Sequence, residues 1–197
     1  MQLEQFQKDL LEKSVEDIYL QYLTDSDVWY FRSKMSDNTH YGRYDAFKQY
    51  MASKLQIHTG NIAIVGSAKL GFSLAPKKAY RPFNNEESDI DLVIVSDSIF
   101  QKSWDAFLEL NKRSPLRDYR QVASEIFRRF VTLKAPDTTS PFFDEWTRKV
   151  DPCKRDLQLS FDMPNEINYR IYQSWDAVQE YHKIGLNQLK KSLEKAE

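Results

Sequence analysis

Two apolar runs decide the fold of this 197-residue chain: residues 62–67, IAIVGS, and residues 88–95, SDIDLVIV. Each run has the length and apolar content of a buried strand, about 4–8 residues bounded by turn or polar residues. Asp89 and Asp91 interrupt the second run, and side chains two positions apart on a strand point to the same side of the sheet. The sequence therefore predicts two consecutive strands and a pair of carboxylates on one face.

The two carboxylates need a neutralising partner, because burying like charges side by side in an apolar strand is costly. A hard cation that prefers oxygen ligands, such as Mg²⁺, meets this need. Gly66 permits a close approach of the backbone, and the amides of such a turn, together with the Ser67 hydroxyl, can bind phosphate oxygens. The pattern predicts a site for Mg²⁺ and a phosphate ester.

The order of these features resembles the nucleotidyltransferase superfamily of DNA polymerase beta: an apolar strand, Gly with Ser or Gly, a variable loop, and Asp-apolar-Asp on the next strand. Residues 62–95 carry the resemblance. It implies an α+β fold with a mixed sheet flanked by helices. It also implies that Gly66 and Ser67 contact the triphosphate of an NTP while Asp89 and Asp91 hold two Mg²⁺ ions. We infer from its position that Lys69 reaches a phosphate as well.

Active members of that superfamily carry a third Asp or Glu on a neighbouring strand. Residues 156–162, DLQLSFD, alternate polar and apolar side chains, which predicts a half-buried strand with Asp156 and Asp162 on one face. We take Asp156 as the third catalytic and metal-binding residue, with Asp162 as the alternative. If neither faces the site, the chain has kept phosphate binding and lost catalysis.

Apolar periodicity predicts the remaining elements. We expect an N-terminal helical segment, residues 1–58, packed on a nucleotidyltransferase core, residues 59–197, within one compact domain. The predicted helices cover residues 3–24, 28–31, 44–55, a segment after Ser98, 119–130, a helical turn at 142–149, and 175–189. Strands are predicted at residues 62–65, 90–95 and 167–171, with a long loop at 68–88.

Charge and composition narrow the class of protein. The chain has 28 basic and 29 acidic residues, so no global field draws it to nucleic acid or to an anionic membrane. No apolar run approaches the ~20 residues of a membrane span, and the N-terminus has no signal-peptide pattern. A single cysteine, Cys153, excludes an internal disulfide and fits a reducing compartment. We expect a soluble, cytoplasmic protein; a nucleic-acid partner is possible but gains no support from the net charge.

The resemblance implies Mg²⁺-dependent transfer of a nucleoside monophosphate from an NTP to a hydroxyl on RNA, protein or a small molecule. Short stand-alone members of the superfamily resemble parts of bacterial defence or toxin-antitoxin modules, which implies a partner protein. The alternative is a catalytically silent nucleotidyltransferase-fold protein that binds or regulates a partner, or senses nucleotides. The resemblance does not choose the acceptor, because one core supports all these chemistries.

Overall fold

Alternating apolar residues build a mixed β-sheet at the centre of the molecule. The computed structural model describes residues 3–35, 39–75, 78, 80–133 and 140–195. In this part of the chain the sheet has four strands in the order β1-β2-β4-β3. Strand β2 runs antiparallel to β1 and parallel to β4, and β3 runs antiparallel to β4. The strands are β1 (Ile62–Val65), β2 (Ile90–Val95), β3 (Phe130–Leu133) and β4 (Ile167–Tyr172).

Helices flank this sheet, so the described structure is an α+β fold. Among the described residues four α-helices precede the first strand: α1 (Leu3–Glu12), α2 (Val15–Leu23), α3 (Trp29–Arg32) and α4 (Thr39–Leu55). The later ones are α5 (Ser67–Leu70), α6 (Asp97–Arg113), α7 (Tyr119–Phe127), α8 (Pro141–Phe161) and α9 (Trp175–Leu193). None of the helices in the described part of the chain combines the length and apolar character of a membrane span.

The two faces of the sheet differ in what covers them. One face carries Ile64, Leu92 and Ile171, and packs into the main core with residues of α4, α6 and α8. The other face carries Val93 and Tyr172 near the far ends of β2 and β4, where α9 covers them. Because side chains alternate along a strand, the polar residues near the start of β2 and β4 lie on this second face.

The strands at residues 62–65 and 90–95 are confirmed, and the third predicted strand corresponds to β4. The single helix predicted over residues 3–24 is two helices. The break falls at Ser14, whose hydroxyl accepts a hydrogen bond from the Asp17 N–H and so caps α2. Both helices pack against α9 through an apolar cluster of their own.

The strand predicted at residues 156–162 is wrong, because this segment is the end of α8. The apolar residues that α8 buries there are Cys153, Leu157 and Phe161, at the i, i+4 spacing of a helix face, whereas Leu159 is 73% exposed. The helix begins one residue before the predicted helical turn at 142–149, at a cap in which the Ser140 hydroxyl accepts from the Phe143 N–H, and it continues to Phe161. The sequence also predicted a helix through Phe130, which instead begins strand β3.

Candidate functional site

The turn after β1 requires glycine for two reasons. Gly66 has φ of +69°, in a region that L side chains rarely adopt. A Cβ at this position would also lie 2.9 Å from Oδ2 of Asp91, because Val65 pairs directly with Asp91 across the two strands. The carboxylate of Asp91 therefore lies directly against the backbone of the turn, in the space that a side chain at position 66 would need.

Asp89 and Asp91 lie on the same side of the sheet, where one side chain touches both. The Asn168 amide nitrogen in β4 donates to Oδ2 of Asp89 at 3.1 Å and lies 3.4 Å from Oδ1 of Asp91. Asn168 and Asp91 are direct partners in the parallel register of β2 and β4. Asp89 is exposed and Asp91 is partly buried. The pair thus presents carboxylate oxygens to solvent from one point on the sheet, an arrangement suited to a hard cation.

Arg170 supplies a positive charge beside the pair. Its Nε donates to Oδ1 of Asp91 at 3.1 Å, and its Nη1 donates to the Tyr181 hydroxyl of α9 at 3.3 Å. Burial works to lower the pKa of Arg170, but the Asp91 carboxylate, Tyr181 and Tyr172 together outweigh it and hold this pKa above its ordinary value. Two carboxylates and one guanidinium leave the site with one net negative charge, so a cation is still attracted but less strongly than by the bare pair.

A cleft of about 240 Å³ lies on the same face of the sheet. Asn168 and Arg170 line one part of it, and Glu125 and Arg128, at the end of α7, line another. Glu125 also accepts a hydrogen bond at 2.8 Å from the Thr132 N–H, which fixes α7 against the outer edge of β3. The acidic pair therefore borders a cleft through the two β4 side chains that contact it.

Neither candidate for the third carboxylate is brought to this pair. Asp156 lies on α8, where its carboxylate accepts from the Tyr50 hydroxyl at 2.7 Å and lies 3.6 Å from the Lys54 ammonium. Asp162 caps the end of the same helix with φ of +51° and pairs with Lys34 at 3.1 Å. Within the described residues no cluster of three or more His, Cys, Asp or Glu side chains suited to a metal ion forms. The residue beside Asp91 on the neighbouring strand β4 is Asn168.

Lys69 does not point to the turn as the sequence led us to infer. Its ammonium donates to the backbone carbonyls of Asp25 at 2.6 Å and Asp27 at 2.9 Å, and also binds the Asp25 carboxylate. The Lys69 side chain is 2% exposed, and this burial lowers its pKa. Its role in the structure is to attach the segment between α2 and α3 to α5.

Sequence reasoning missed Asn168 and Arg170. The signal was present, because these two polar residues alternate with the apolar residues of a predicted strand and so must share its opposite face. The missing information was the pairing partner of that strand. Once β4 is placed parallel to β2, both residues fall beside Asp91.

Comparison of the chain with known protein families, with curated proteins and with solved structures gives no match. The resemblance to nucleotidyltransferases therefore rests on the sequence motif of residues 62–95 alone.

Proposed function

We propose that this chain adopts a nucleotidyltransferase fold, binds an NTP with Mg²⁺ at Gly66, Ser67, Asp89 and Asp91, and transfers the nucleoside monophosphate to a hydroxyl. The observation that carries the proposal is the contact between Asp91 and Gly66. It unites the two halves of the motif, 25 positions apart in the sequence, in a single site, as a cation bound to both carboxylates and phosphate requires.

The donor set suits Mg²⁺, which prefers carboxylate oxygens and keeps several waters or phosphate oxygens as further ligands. Asp89 and Asp91 would hold the ion. Asn168 adds a third oxygen if its amide turns to present Oδ1 in place of Nδ2, since the two ends of the group have nearly the same shape. When bound, Mg²⁺ would stabilise the charge that develops on the phosphates.

The residues of the chain would then divide the remaining roles. A phosphate would bind the backbone amides of the turn that follows Gly66, next to the Asp91 carboxylate, and Ser67 would bind a phosphate oxygen. The acceptor hydroxyl oxygen bonds to the α-phosphorus, the bond from that phosphorus to the β-bridging oxygen breaks, and pyrophosphate leaves. Asp89 takes the hydroxyl proton, because it is the exposed carboxylate and forms no salt bridge with any described residue. Arg170 keeps the Asp91 carboxylate oriented toward the turn.

A second function, nucleotide binding without turnover, is favoured by one observation. Asn168 and Arg170 stand on the strand where active members of the superfamily carry a carboxylate. An amide and a guanidinium supply no general base there. A chain of this kind would bind Mg²⁺ and NTP as a sensor or as a regulatory partner of another protein.

The two functions separate in one assay. The purified chain is incubated with each α-³²P-labelled NTP and Mg²⁺, alone and with total RNA, protein extract or small hydroxyl compounds, and label transfer and pyrophosphate are measured. We expect Asp89→Asn and Asp91→Asn each to lower transfer by more than about 100-fold, since disturbing only the outer neighbours of a metal ligand costs about 10–100-fold.

The matched control is Asp156→Asn, which removes a carboxylate from α8 without touching the site. Transfer that survives Asp91→Asn, or that depends equally on Asp156, would overturn the proposal. Saturable binding of Mg²⁺ and NTP with no pyrophosphate would replace it with the sensor. If neither binding nor release is found, both functions fail.

A further inference from the structure

One segment of this nearly neutral chain is strongly basic. Residues 112–129 contain six Lys and Arg side chains and only two acids, while the whole chain has 28 basic and 29 acidic residues. Lys112 pairs with Glu109 and Arg129 with Glu180. Arg120 and Arg128 form no ion pair with any residue that the structure describes, and both are exposed. A local positive field therefore exists here although the net charge gives no sign of it.

The same segment exposes aromatic rings. Helix α7 has no buried residue along its length. Phe127 is 89% exposed and Tyr119 is 55% exposed. Arg120 and Phe127 are seven positions apart, so they share one face of the helix with a separation along its axis of about 10 Å. We call the four residues Tyr119, Arg120, Phe127 and Arg128 the α7 surface.

The α7 surface adjoins the candidate site. Arg128 lines the cleft of about 240 Å³ whose other wall contains Asn168 and Arg170. These two side chains contact Asp91 directly. A flexible chain lying on α7 would therefore have its end directed into the cleft and toward the acidic pair.

The molecule that binds the α7 surface should use three features together: the exposed arginines, the exposed aromatic rings, and the path to a site where a hydroxyl is the acceptor. Arginine binds phosphate, and a single aromatic ring stacks on an unpaired base, which a duplex would hide. An acidic peptide would use the arginines alone, and a lipid surface would not enter the cleft. A single-stranded polynucleotide uses all three features, since its last ribose also carries a hydroxyl.

We infer that the acceptor is the 3′ end of a single-stranded polynucleotide, bound along the α7 surface. This inference rests on the proposed function. The 3′-hydroxyl oxygen would bond to the α-phosphorus of the NTP, pyrophosphate would leave, and the proton would pass to Asp89. The product is the strand lengthened by one nucleotide.

The test uses 5′-fluorescein-labelled, unstructured 20-nucleotide RNA and DNA of one sequence, with binding measured by anisotropy at several KCl concentrations. Phe127→Ala should weaken binding by about fivefold to 100-fold, the range for one stacked base. Arg120→Gln with Arg128→Gln should lower the slope of log Kd against log salt by about 1.4, or ~0.7 for each phosphate that is no longer neutralised. The controls are Leu159→Ala and Arg155→Gln, exposed residues of α8, which should leave binding within about twofold because they touch neither base nor phosphate.

Extension is measured on the same strands with free and with blocked 3′ ends, and Mg²⁺-NTP binding is measured for every variant. We expect extension only of strands with free 3′ ends, and unchanged NTP binding in the α7 variants. Comparing the RNA and DNA strands shows which of the two is preferred. Equal strand binding by the α7 and control variants would overturn the inference, as would label on another acceptor only. Stronger competition by polyglutamate or by anionic phosphatidylglycerol vesicles than by RNA would also overturn it. If only the proposed function is wrong, the protein will still bind the strand through the α7 surface but will not bind NTP.

Discussion

Lys69 is a buried cation and Arg170 a partly buried one, both close in the fold to the contact between Gly66 and Asp91, yet they face different parts of the molecule. The side chain of Lys69 is 2% exposed, and that of Arg170 is 23% exposed. Lys69 bonds to backbone carbonyls of the segment between α2 and α3, whereas Arg170 bonds to the Asp91 carboxylate. Lys69 should therefore affect stability and Arg170 the charge of the site.

The comparison teaches that distance along the sequence is a poor guide to which cation belongs to a site. Lys69 follows Gly66 by three positions but is directed into the N-terminal helices. Arg170 is more than 100 positions away and is delivered by strand pairing. The pKa directions agree with this difference: burial lowers the pKa of Lys69, whereas for Arg170 the Asp91 carboxylate together with Tyr181 and Tyr172 outweighs burial and raises the pKa.

The largest effect is expected from Lys69→Met, which keeps the apolar stem and removes the ammonium. The Asp25 and Asp27 carbonyls then lose a charged donor, and we expect the free energy of unfolding to fall by about 2 kcal/mol. Urea denaturation followed by circular dichroism measures this change. Lys54→Met is the control, because the Lys54 side chain is 41% exposed and its ion pair with Asp156 contributes less than about 1 kcal/mol.

A Lys69→Met protein as stable as the wild type would show that the buried ammonium does not attach the N-terminal helices. An equal loss in the Lys54 variant would show that the method does not distinguish buried from exposed lysines. Mg²⁺ affinity at the acidic pair should be unchanged in both variants, since neither lysine contacts it.

The second effect concerns cation affinity. Arg170→Met removes a unit positive charge beside Asp91, so we expect Mg²⁺ affinity without nucleotide to rise on the order of tenfold. Asn168→Asp also makes the site more negative by one charge, so it too should raise the affinity for Mg²⁺. Calorimetric titration with Mg²⁺ measures both. An affinity lowered by Arg170→Met would mean that the guanidinium holds Asp91 in place more than it competes with a cation.

The local part of the site could be predicted from sequence, because a strand of period two decides by itself which side chains share a face. Asp89 and Asp91 followed from that rule, and Gly66 was predicted as a turn that permits a close approach of the backbone. Asn168 and Arg170 could not be assigned, since nothing in the sequence states that β4 pairs with β2.

Helix α8 shows where the same rule fails. In residues 156–162 the apolar side chains repeat every two positions, and positions four apart satisfy both a strand and a helix face. Leu157 and Phe161 face the core in either case, so the pattern alone cannot decide. Leu159 distinguishes the two, because a strand would bury it with Leu157 and Phe161, and only the structure shows that it is exposed. Placing Asp156 near the metal followed from choosing the wrong period.

The smallest effect tests how far the charge of Arg170 reaches. Burial, and secondarily Arg170, lowers the pKa of His182 in α9 from 6.5 to about 4. Between these values the unfolded chain binds a proton that the folded chain does not. The stability contributed by neutral His182 is therefore complete above pH 6.5 and is lost as the pH falls toward 4. Arg170→Met should raise this pKa, but not to 6.5, because burial is the larger cause.

An NMR titration of the His182 ring measures the pKa directly, with Lys69→Met as the control that should leave it unchanged because Lys69 has no influence on this ring. A pKa that stays near 4 in Arg170→Met would restrict the guanidinium's influence to Asp91 and Tyr181. A pKa raised equally by both substitutions would mean that α9 loosens when either cation is removed. In that case Lys69 and Arg170 would share one structural role, and the distinction between a cation that affects stability and one that affects the charge of the site would be wrong.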